Sequence, residues 1–566
     1  MGHLQDNSMS DQFDSRTLVN RLLLLLPLFC LPLTGCLSQS EGKNSSSCII
    51  PLLYRGETVH DDQGKLAFVY RSHPIETQGG KSVTVMINTL QFHHWKCSWF
   101  LESFGNSTPL NSSEAISCGN GDVLVAHLFY TRFFPLSDAD LENCRPRFLA
   151  VRKEGVQSSP RKPNVAIVLV DAMRPDHLPG GKYPDIIAPH LENMRLLGTE
   201  FTNWHSTSSS SRPSIGSIFS GLYPRAHGAI RHTTAAASLF PGVKTVAQCF
   251  RKQGYRTAAF HSNAQISAQF GFDRGFDIYR GPVWDPDVMK ESSRWLSSTT
   301  SPFFLYIHLI RLHAPYQPTE HFDHLYKGMT GDPEHDQYCS EITLVDQSIG
   351  EFLLKMIEWG HFNNTLFWFL SDHGEEFGEH GGRYHGNTLY EESIRTLSIL
   401  VHPSIVPLDS YCDCAASHVD VLPTLCSFMD AQTPEAVQGV DLSKVIAGKG
   451  IAAQDRAIFA QSYGGEDSNP LISIRDAVVW DGWKLIVPSH GDIYELYNLN
   501  DDSDELRNIY SEDHPEAAHL KATVREFSDE SDRIAEGMGR SEALARDPVT
   551  HSDKEWENLR QLGYIR

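Results

Sequence analysis

The stretch "NVAIVLVD" (residues 164–171) marks the point where the sequence takes on the pattern of a buried parallel sheet. Its six central residues are all apolar, which is typical of parallel strands that are covered on both faces. The run ends directly on an aspartate, and open α/β sheets carry functional side chains just past the carboxyl ends of their strands. We therefore expect the fold and its chemistry to be organised around this segment.

Helical and strand patterns alternate from this stretch towards the carboxyl terminus. "VKTVAQCFRKQ" (243–253) has helical spacing, whereas "YRTAAFH" (255–261) and "FFLYIHLI" (303–310) are short runs typical of strands. A long amphipathic helix around residues 338–359 then leads into "TLFWFL" (365–370). The alternation predicts an α/β sandwich around a mostly parallel sheet.

The segment before this sheet has a different character. In residues 42–161, β-branched and aromatic runs such as "KLAFVYRS" and "VLVAHLFYTRFF" are separated by clusters of Gly, Asn and Ser. We predict a separate β-rich domain there, and the sequence does not indicate its role. "SSPRKPN" (158–164) has the composition of a linker to the α/β part.

The amino terminus carries a candidate export signal. The apolar run "LLLLLPLFCLPL" (22–33) is too short for the roughly 20 residues that cross a bilayer as a helix. Two arginines precede it and "LTGC" (33–36) follows, which is the layout of an export signal over residues 1–36. "LTGC" also resembles a bacterial lipobox, which would make Cys36 the anchor of a periplasmic or outer-surface lipoprotein; otherwise the protein would be secreted. The alternative is a buried core segment.

Charge and cysteine content narrow the class of protein further. The formal net charge of −22, with no basic run, argues against a nucleic-acid binder. The chain holds 11 cysteines, and export would place them in an oxidising compartment, where disulfides form. Cys412 and Cys414 are too close in sequence for an easy mutual bridge, so we expect no bond between them. The other pairings do not follow from the sequence.

The serine-rich stretch "STSSSSRPSIGSIFSGLYP" (206–224) is interpreted as the entry to a helix. Pro213 suits a first helical turn, where its missing N–H would have no partner, and apolar residues follow at helical spacing. Ser211 would then lie at a helix amino terminus, where unpaired N–H groups and the helix dipole favour an anion. The alternative is a flexible polar linker.

The segment "SDHGEEFGEHGGRYHGNTLYEE" (371–392) concentrates histidines and carboxylates directly after a predicted strand. Asp372 and His373 offer one hard oxygen and one imidazole on a turn, and Asp171 supplies a carboxylate from another strand end. Such a mixed set of ligands suits a divalent metal ion. The alternative for an isolated Asp–His pair is an ordinary surface turn.

Six blocks of the chain, taken in their order along the sequence, bear on the family to which the protein belongs. They are "NVAIVLVDAMRPDHL", "APHLENMRLLGTEFTNWHSTSSSSRPSIGSIFSGLYPRAHG", "GYRTAAFHSNAQISAQFGFDRGFD", "PFFLYIHLIRLHAPYQP", "SDHGEEFGEHGGRYHGNTLYEE" and "DIYELYNLNDDSDELRNI". In this order they resemble successive motifs of the sulfatase family, which belongs to the alkaline-phosphatase superfamily. The resemblance covers about residues 163–510. It implies an alkaline-phosphatase-like catalytic domain over residues 163–455 and a small carboxyl-terminal subdomain with a helical tail over residues 456–566.

The resemblance also implies a metal centre and a nucleophile. Asp171, Asp372 and His373 match metal ligands of the family. Ser211 falls at the position of the nucleophile, which in sulfatases is a cysteine or serine oxidised to formylglycine. A metal-activated group at Ser211 is therefore the implied attacking group.

Further residues match positions that contact the substrate. His313, in "LHAPY", matches a histidine that contacts the sulfate or phosphate, and His385 lies near a lysine or histidine placed over the substrate oxygens. With Ser211, these two histidines are the predicted catalytic residues. The predicted substrate-binding residues are Arg212, beside the nucleophile, and His261 and Asn263, in the stretch where many sulfatases have Lys-x-His.

Three departures from the family pattern shape these expectations. Ala172 follows Asp171 where the family often has a second aspartate, so one metal ligand is missing. Ile215 stands where the modification motif Cys/Ser-x-Pro-x-Arg has its arginine, so Ser211 acts either unmodified or as formylglycine. Arg311 stands where relatives with two metals would have a carboxylate, which favours a single divalent ion. We expect Ca²⁺ first, with Mn²⁺ and Zn²⁺ as alternatives.

The resulting prediction is a metal-dependent hydrolase of sulfate esters that works by in-line displacement at Ser211 or its formylglycine derivative. The implied substrate is a small-molecule or carbohydrate sulfate ester. One alternative is a phosphate or phosphonate ester hydrolase that uses unmodified Ser211. A second alternative is a non-catalytic relative that binds a ligand on the same fold.

Overall fold

The computed structural model divides the chain into two compact units, with the boundary between Gln157 and Ser158. In the first unit it describes eight strands between residues 46 and 156. In the second unit it describes residues 162–230, 238–300, 302–448, 456–463, 475–488, 493–545 and 551–561. The predicted export signal over residues 1–36, with Cys36, lies outside the described residues.

The described strands of the first unit form one eight-stranded sheet, and each of their pairings is antiparallel. They are β1 (Ser46–His60), β2 (Leu66–Ser72), β3 (Val83–Met86), β4 (Trp95–Ser103), β5 (Asn106–Leu110), β6 (Ala115–Cys118), β7 (Val123–Tyr130) and β8 (Phe148–Val156). Their spatial order is β5-β4-β7-β2-β1-β8-β3-β6. β-branched and aromatic residues favour such strands, and the unit has the β-rich character predicted for residues 42–161.

The second unit is built on an eight-stranded sheet with the order β13-β12-β14-β9-β15-β18-β10-β19. The strands of this part of the chain are β9 (Asn164–Val170), β10 (Gly198–Phe201), β11 (Trp204–His205), β12 (Arg256–His261), β13 (Ile278–Arg280), β14 (Phe303–Leu309), β15 (Thr365–Leu370), β16 (Glu376–Phe377), β17 (Arg383–Tyr384), β18 (Ser398–Val401), β19 (Ser410–Cys412) and β20 (Ala416–Ser417). All neighbours in the large sheet are parallel except β18, which is antiparallel to β15 and β10. The predicted mostly parallel sheet is confirmed.

The second unit also contains the helices of the α/β fold and those of the carboxyl-terminal part. They are α1 (Pro189–Leu196), α2 (Ser211–Ser220), α3 (Pro224–His227), α4 (Val246–Lys252), α5 (Asp285–Ser297), α6 (Pro333–Glu358), α7 (Glu391–Ile394), α8 (Val421–Phe428), α9 (Ser443–Ile446), α10 (Pro515–Gly537), α11 (Arg540–Leu544) and α12 (Asp553–Gln561). Short 3₁₀ segments span Pro175–His177, Ala264–Ile266, Ala268–Phe270, Phe362–Asn364 and His418–Asp420. Among these described helices, none is both long and apolar enough to cross a membrane.

The register of the central strands decides where the site lies. β9 is flanked by β14 and β15, and all three strands are buried along their whole length. The pairing places Leu309 opposite Val170 and Leu370 opposite Leu169. The three strands therefore end at the same edge of the sheet, which brings the residues that follow them close together.

The carboxyl-terminal part adds a four-stranded antiparallel sheet. Its strands, in order, are β21 (Ile458–Ser462), β22 (Arg475–Trp480), β23 (Trp483–Pro488) and β24 (Glu495–Asn498). One face packs on α10, with Val478, Leu485 and Leu520 buried in a shared apolar cluster. Within residues 456–566, the described residues thus form a small sheet followed by helices.

One expectation about the cysteines is wrong. Cys412 and Cys414 form a disulfide, although the sequence had suggested that two cysteines separated by one residue would not pair. Cys412 is the last residue of β19, at the edge of the large sheet, and the chain turns immediately after it. The Cα atoms lie 5.4 Å apart, within the range that a disulfide spans.

Candidate active site

The carboxyl ends of β9 and β15 bring the three predicted metal ligands together. Asp171, Asp372 and His373 are completely buried, and their ligand atoms all lie within 4.8 Å of one another. His373 Nε2 lies 3.6 Å from Asp171 Oδ1 and 3.5 Å from Asp372 Oδ2. The predicted juxtaposition of these side chains is therefore present in the structure.

Ser211 is the first residue of α2 and reaches the same cluster. Its Oγ lies 3.2 Å from Asp171 Oδ2 and 3.2 Å from His373 Nε2. The extended backbone of Ser210 precedes the helix, so Ser211 lies where the helical N–H groups have no intrahelical partner. This location gives the hydroxyl an electropositive setting that favours an anion.

Residues 206–209, which precede α2, are part of the protein interior. Ser206, Thr207, Ser208 and Ser209 are all buried. Ser206 Oγ contacts Ser214 Oγ at 2.8 Å and the backbone oxygen of Asp372 at 2.5 Å, which ties the start of α2 to the end of β15. The alternative interpretation of this stretch as a flexible polar linker is therefore wrong.

Each of the two carboxylates has one oxygen bound by the protein and one that is not. Asp171 Oδ2 accepts hydrogen bonds from Ser211 Oγ at 3.2 Å, Asn263 Nδ2 at 3.1 Å and His308 Nε2 at 3.1 Å. Asp372 Oδ1 accepts from the N–H groups of Ala172 at 3.1 Å and His373 at 3.0 Å. Asp171 Oδ1 and Asp372 Oδ2 are buried and have no hydrogen-bond partner among the residues that the structure describes.

Burial and charge act in opposite directions on the ionisation of this cluster. Burial raises the pKa of Asp372, and the adjacent Asp171 carboxylate raises it further. Burial also opposes ionisation of Asp171, but the hydrogen bond from His308 and the nearby imidazoles hold its pKa well below the ordinary value. Burial lowers the pKa of His373, yet the two carboxylates raise it overall. The raised pKa values of Asp372 and His373 mean that, in the free enzyme, protons balance part of the negative charge of the two buried carboxylates.

These three side chains fit a divalent metal ion. Unpaired buried carboxylate oxygens are costly unless a cation compensates them. The Nδ1 of His373 donates to the backbone oxygen of Gly374 at 2.9 Å, which leaves Nε2 with its lone pair towards the carboxylates. Two carboxylate oxygens and one imidazole nitrogen make the mixed ligand set expected of such a centre.

His313 and His385 extend the cluster on the other side of His373. The ring of His385 lies 4.2 Å from that of His373 and 4.7 Å from that of His313, measured between centroids. Burial lowers the pKa of His313 to about 4 and that of His385 to about 3, so both imidazoles are neutral near pH 7. The Nδ1 atoms donate to the oxygen of Ala314 and to Glu375, respectively, which places the lone pair of each ring on Nε2.

Two residues of the site were not predicted. His308 lies inside β14, within an otherwise apolar run, and its contact with Asp171 follows from the register of β14 and β9. Glu375 accepts from His385 Nδ1 at 2.9 Å and from Tyr316 Oη at 2.9 Å, and burial raises its pKa to about 7. The sequence held two signals for these residues: a histidine within an apolar strand, and two consecutive glutamates after Asp-His-Gly.

The predicted substrate-binding residues are found in different surroundings. Asn263 contacts Asp171 directly, as described above. Arg212 donates from Nε to the backbone oxygen of Gln265 at 2.7 Å, and its guanidinium carbon lies 3.9 Å from the centroid of the Phe270 ring. His261 donates from Nδ1 to the backbone oxygen of Asn263 at 3.0 Å and packs on Tyr279. These contacts are within the core, and a role for Arg212 and His261 in substrate binding stays a prediction.

The strand-end cluster and the helix-borne serine lie at the carboxyl edge of a mostly parallel sheet, where open α/β folds bind their ligands, and comparison with known proteins gives the class as alkaline-phosphatase-like. The sequence profile described as Sulfatase matches residues 163–431, and that described as N-sulphoglucosamine sulphohydrolase, C-terminal, matches residues 378–530. The chain belongs to the sulfatase family, and it is a sulfuric ester hydrolase.

The individual relatives share little sequence identity with this chain, but the matches cover nearly their whole length. An arylsulfatase of Clostridium perfringens is 23% identical over 474 residues, covering 66% of this chain and 96% of the relative. A solved structure in complex with its substrate D-glucosamine-2-N,6-O-disulfate is 18% identical with a TM-score of 0.56, covering 67% of this chain and 99% of the other. The phosphonate monoester hydrolase of Agrobacterium radiobacter is 16% identical with a TM-score of 0.56, covering 69% and 100%. At such identities the structural likeness shows the fold alone.

Proposed function

We propose that the enzyme hydrolyses the sulfate ester of a sulfated carbohydrate, with Ser211 or its formylglycine derivative as the nucleophile. The observation that carries the proposal is the position of Ser211 Oγ, 3.2 Å from both Asp171 Oδ2 and His373 Nε2 at the start of a helix. A nucleophile beside metal ligands and unpaired helical N–H groups is placed to attack an anionic tetrahedral centre.

The metal centre supplies the first part of the chemistry. A divalent ion held by Asp171, Asp372 and His373 would neutralise ester oxygens and lower the pKa of the attacking hydroxyl. We propose Ca²⁺ as this ion, since the ligand set is dominated by carboxylate oxygens. Ala172 contributes only its backbone N–H to Asp372, so one side-chain ligand fewer than in many relatives holds the ion.

The histidines supply the proton that the leaving alcohol needs. His313 and His385 are neutral in the free enzyme because burial lowers their pKa values. A bound sulfate monoanion beside them would raise both values, since an opposite charge favours the imidazolium. Either ring, with its Nδ1 held by a protein oxygen, can then hold the proton at Nε2 and give it to the leaving oxygen.

Two versions of the reaction differ in the state of Ser211. In the first, Ser211 Oγ bonds to sulfur, the bond from sulfur to the alcohol oxygen breaks, and water later cleaves the seryl sulfate. In the second, a hydroxyl of hydrated formylglycine attacks, and its other hydroxyl loses a proton as sulfate leaves and the aldehyde reforms. Ile215 is completely buried where the modification motif has arginine, which favours the first version.

A cavity beside the site supports a carbohydrate as the substrate. It has a volume of about 370 Å³, and its lining includes His313, Trp284, Arg311 and Gln317. The Trp284 side chain is 57% exposed there, and an exposed indole offers a flat apolar face with a polar edge. Arg311 binds Glu341 through Nη1, at 3.0 Å, and Glu341 and Gln317 also line the cavity, so its wall offers polar groups that can hydrogen-bond to sugar hydroxyls.

A comparison of aryl esters tests the reaction. We expect the wild-type enzyme to hydrolyse 4-nitrophenyl sulfate faster than 4-nitrophenyl phosphate, and to lose this activity after dialysis against a chelator and regain it with Ca²⁺. The matched substitution Asp372→Asn should abolish the regain. Turnover that survives chelation, or a clear preference for the phosphate ester, would contradict the proposal. The mass of the Ser211 peptide separates the two versions, because formylglycine is lighter than serine by two hydrogen atoms.

The second candidate is a phosphate or phosphonate ester hydrolase on the same site. The buried Ile215 favours it, because it stands where the modification motif has arginine, and an unmodified serine would form a covalent seryl ester, a familiar intermediate of phosphoryl transfer. The same aryl esters decide between the two candidates.

Export is a separate part of the proposal. The apolar run before Cys36 and the "LTGC" sequence support a lipid-anchored or secreted enzyme. We expect protein from its native host to begin at Cys36 and to partition with membranes. Cys36→Ser should release a lipoprotein from the membrane, whereas an intact amino terminus in the cytosol would contradict export.

A further inference from the structure

A second cluster of metal-binding side chains consists of residues outside the catalytic centre. His177, His335 and Cys339 are all buried, and their ligand atoms lie within 4.8 Å of one another. His335 and Cys339 stand one turn apart (i, i+4) on α6, so they project from the same face of that helix. His177 ends the 3₁₀ segment Pro175–His177 that follows β9. We infer that these three side chains bind a Zn²⁺ ion that joins α6 to the segment after β9.

The surroundings of His177 prepare it as a ligand. Its Nδ1 lies 2.7 Å from Asp176 Oδ1, so the proton of the neutral ring is on Nδ1 and the lone pair is on Nε2. Histidines that bind metals are commonly held by a carboxylate in this way. Burial lowers the pKa of His177 and lowers that of His335 to about 3, which keeps both rings in the neutral form that metals bind.

The distance between the two imidazoles is compatible with an ion after a small displacement. His177 Nε2 and His335 Nε2 lie 2.6 Å apart. Two nitrogens at about 2.0 Å from a tetrahedral Zn²⁺ lie roughly 3.3 Å from each other, so the rings would separate by less than about 1 Å. The alternative is a direct hydrogen bond from His335 to His177. In that alternative Cys339 remains a protonated thiol, since burial raises its pKa.

The charges around the cluster favour a cation with one thiolate. Arg174 contacts two carboxylates, with Nη2 2.8 Å from Asp176 Oδ2 and Nη1 2.5 Å from Glu379 Oε1. These three groups together carry one net negative charge. A Zn²⁺ ion with the thiolate of Cys339 carries one net positive charge and balances it, and the thiol proton is released to solvent on binding.

The chemistry of the ligands selects the metal. Two imidazoles and a thiolate suit Zn²⁺, whereas Ca²⁺ takes oxygen ligands. Three protein ligands leave the fourth tetrahedral position to water. A cavity of about 460 Å³ is lined by Arg174, Pro175, Asp176 and Glu379, and the Asp176 carboxylate that faces it also contacts His177.

The metal content of the full chain tests the inference. Wild type, Cys339→Ser and His335→Gln are loaded with Zn²⁺ and dialysed against excess Ca²⁺, and bound zinc per chain is measured by elemental mass spectrometry. We expect wild type to retain one equivalent more than either variant, and Zn²⁺ to raise the Tm of wild type but not that of Cys339→Ser. With Co²⁺ in place of Zn²⁺, wild type should show thiolate-to-cobalt charge-transfer absorption that Cys339→Ser lacks.

A matched control separates this cluster from the catalytic centre. Asp372→Asn should retain the cobalt–thiolate absorption, because Asp372 belongs only to the other set of ligands. Cys339→Ser changes a single atom and keeps the outcome readable if His335→Gln fails to fold. Equal zinc content in wild type and Cys339→Ser, or no cobalt–thiolate absorption in wild type, would overturn the inference and leave the hydrogen-bonded histidine pair.

Discussion

Ser211 differs from the serines before it in what its hydroxyl contacts. Its Oγ reaches Asp171 and His373, whereas the hydroxyls of Ser208 and Ser209 are buried and have no hydrogen-bond partner among the described residues. We therefore expect Ser211→Ala to lower kcat by at least about 10³-fold, as loss of a nucleophile does. The free energy of unfolding should change by no more than the cost of a helix cap, about 1 kcal/mol. Initial rates with 4-nitrophenyl sulfate and urea denaturation measure the two effects.

Ser208→Ala and Ser209→Ala are the matched controls for this prediction. Both remove a buried hydroxyl from the same stretch, and neither removes a hydrogen bond that the structure shows. Their rates should stay close to that of wild type. A wild-type rate in Ser211→Ala would show that Ser211 only begins the helix.

Residues were predictable from the sequence where a local pattern fixes their position. Asp171 directly follows one apolar strand, Asp372 follows another after a single serine, and Ser211 begins a helical repeat, so the ends of these elements place all three side chains. His308 joins the site through the register between two strands that are far apart in the sequence, which no local pattern specifies. Arg212 lies beside the nucleophile in sequence but its side chain turns towards Phe270, and sequence adjacency does not determine that direction.

At the scale of elements, α2 is held by an unusually close contact with α3. A Cβ atom at Gly216 would lie 2.5 Å from Cε1 of His227. Replacing glycine by alanine inside a helix normally stabilises a protein by up to about 1 kcal/mol. We expect Gly216→Ala to do the opposite and to lower the free energy of unfolding by about 1–3 kcal/mol, because the helix and the imidazole must separate. Urea denaturation measures the change.

Gly537, the last residue of α10, provides the matched control. A Cβ atom there would meet nothing within 4 Å, so Gly537→Ala should be neutral or slightly stabilising. Activity gives a second readout, since α2 carries Ser211, and only Gly216→Ala should reduce it. Equal stability of the two variants would mean that the contact between α2 and α3 relaxes without cost.

His227 also makes the anchoring of α2 dependent on pH. In its neutral form Nε2 donates to the backbone oxygen of Pro213 at 3.0 Å and Nδ1 accepts from the N–H of Ala229 at 3.2 Å. Burial lowers the pKa of His227 from 6.5 to about 3. The unfolded chain therefore binds a proton that the folded chain excludes, and this contribution to stability is present above pH 6.5 and lost as the pH falls towards 3.

His227→Gln isolates this contribution from those of the other histidines. Between pH 7 and pH 4.5, wild type should lose about 2–3 kcal/mol more of its free energy of unfolding than the variant does. This difference arises because pH 4.5 lies two units below the ordinary pKa of histidine, and each unit corresponds to about 1.4 kcal/mol. Urea denaturation at the two pH values gives the comparison. An identical loss in both proteins would show that His227 is protonated in the folded state already at pH 4.5.

Elements were predicted where the chain itself marks their ends. The predicted helix over residues 338–359 begins earlier, at Pro333, because the Asp332 side chain accepts from the N–H of Glu334 and caps it. Pairs of residues that meet only in the folded chain were harder to predict from the sequence. The disulfide between Cys412 and Cys414 depends on the turn of the chain after β19, which the sequence spacing alone had argued against.

At the scale of the whole molecule, every contact described above for the catalytic centre joins residues of the second unit. We therefore expect the chain reduced to residues 158–566 to hydrolyse 4-nitrophenyl sulfate with a kcat/KM within about twofold of that of the full chain, since its core and site are its own. Steady-state kinetics on both forms test this. A large loss of kcat in the shorter form would assign the first unit a direct part in the reaction.

Removal of the carboxyl-terminal segment should affect the site, unlike removal of the first unit, because α12 contacts a loop that reaches the catalytic centre. Asn558 Oδ1 accepts from the N–H of Ala264 at 3.1 Å, Glu555 Oε2 accepts from Gln269 Nε2 at 2.8 Å, and Leu559 is completely buried. Ala264 directly follows Asn263, whose amide binds Asp171. Removal of residues 546–566 thus removes support from one of the three hydrogen bonds that orient that carboxylate.

We expect this truncation to lower the free energy of unfolding by about 3 kcal/mol, from the exposed apolar surface and the lost hydrogen bonds. It should also lower kcat, because Asn263 loses the neighbour that fixes its loop. Asn558→Ala tests the local part of this effect, since it removes the bonds of Asn558 to Ala264 and to the backbone oxygen of Ser262 and leaves Leu559 in place. It should reproduce most of the loss in kcat with a smaller loss of stability. If Asn558→Ala retains full activity while the truncated chain does not, α12 acts on the site through packing rather than through the Asn263 loop.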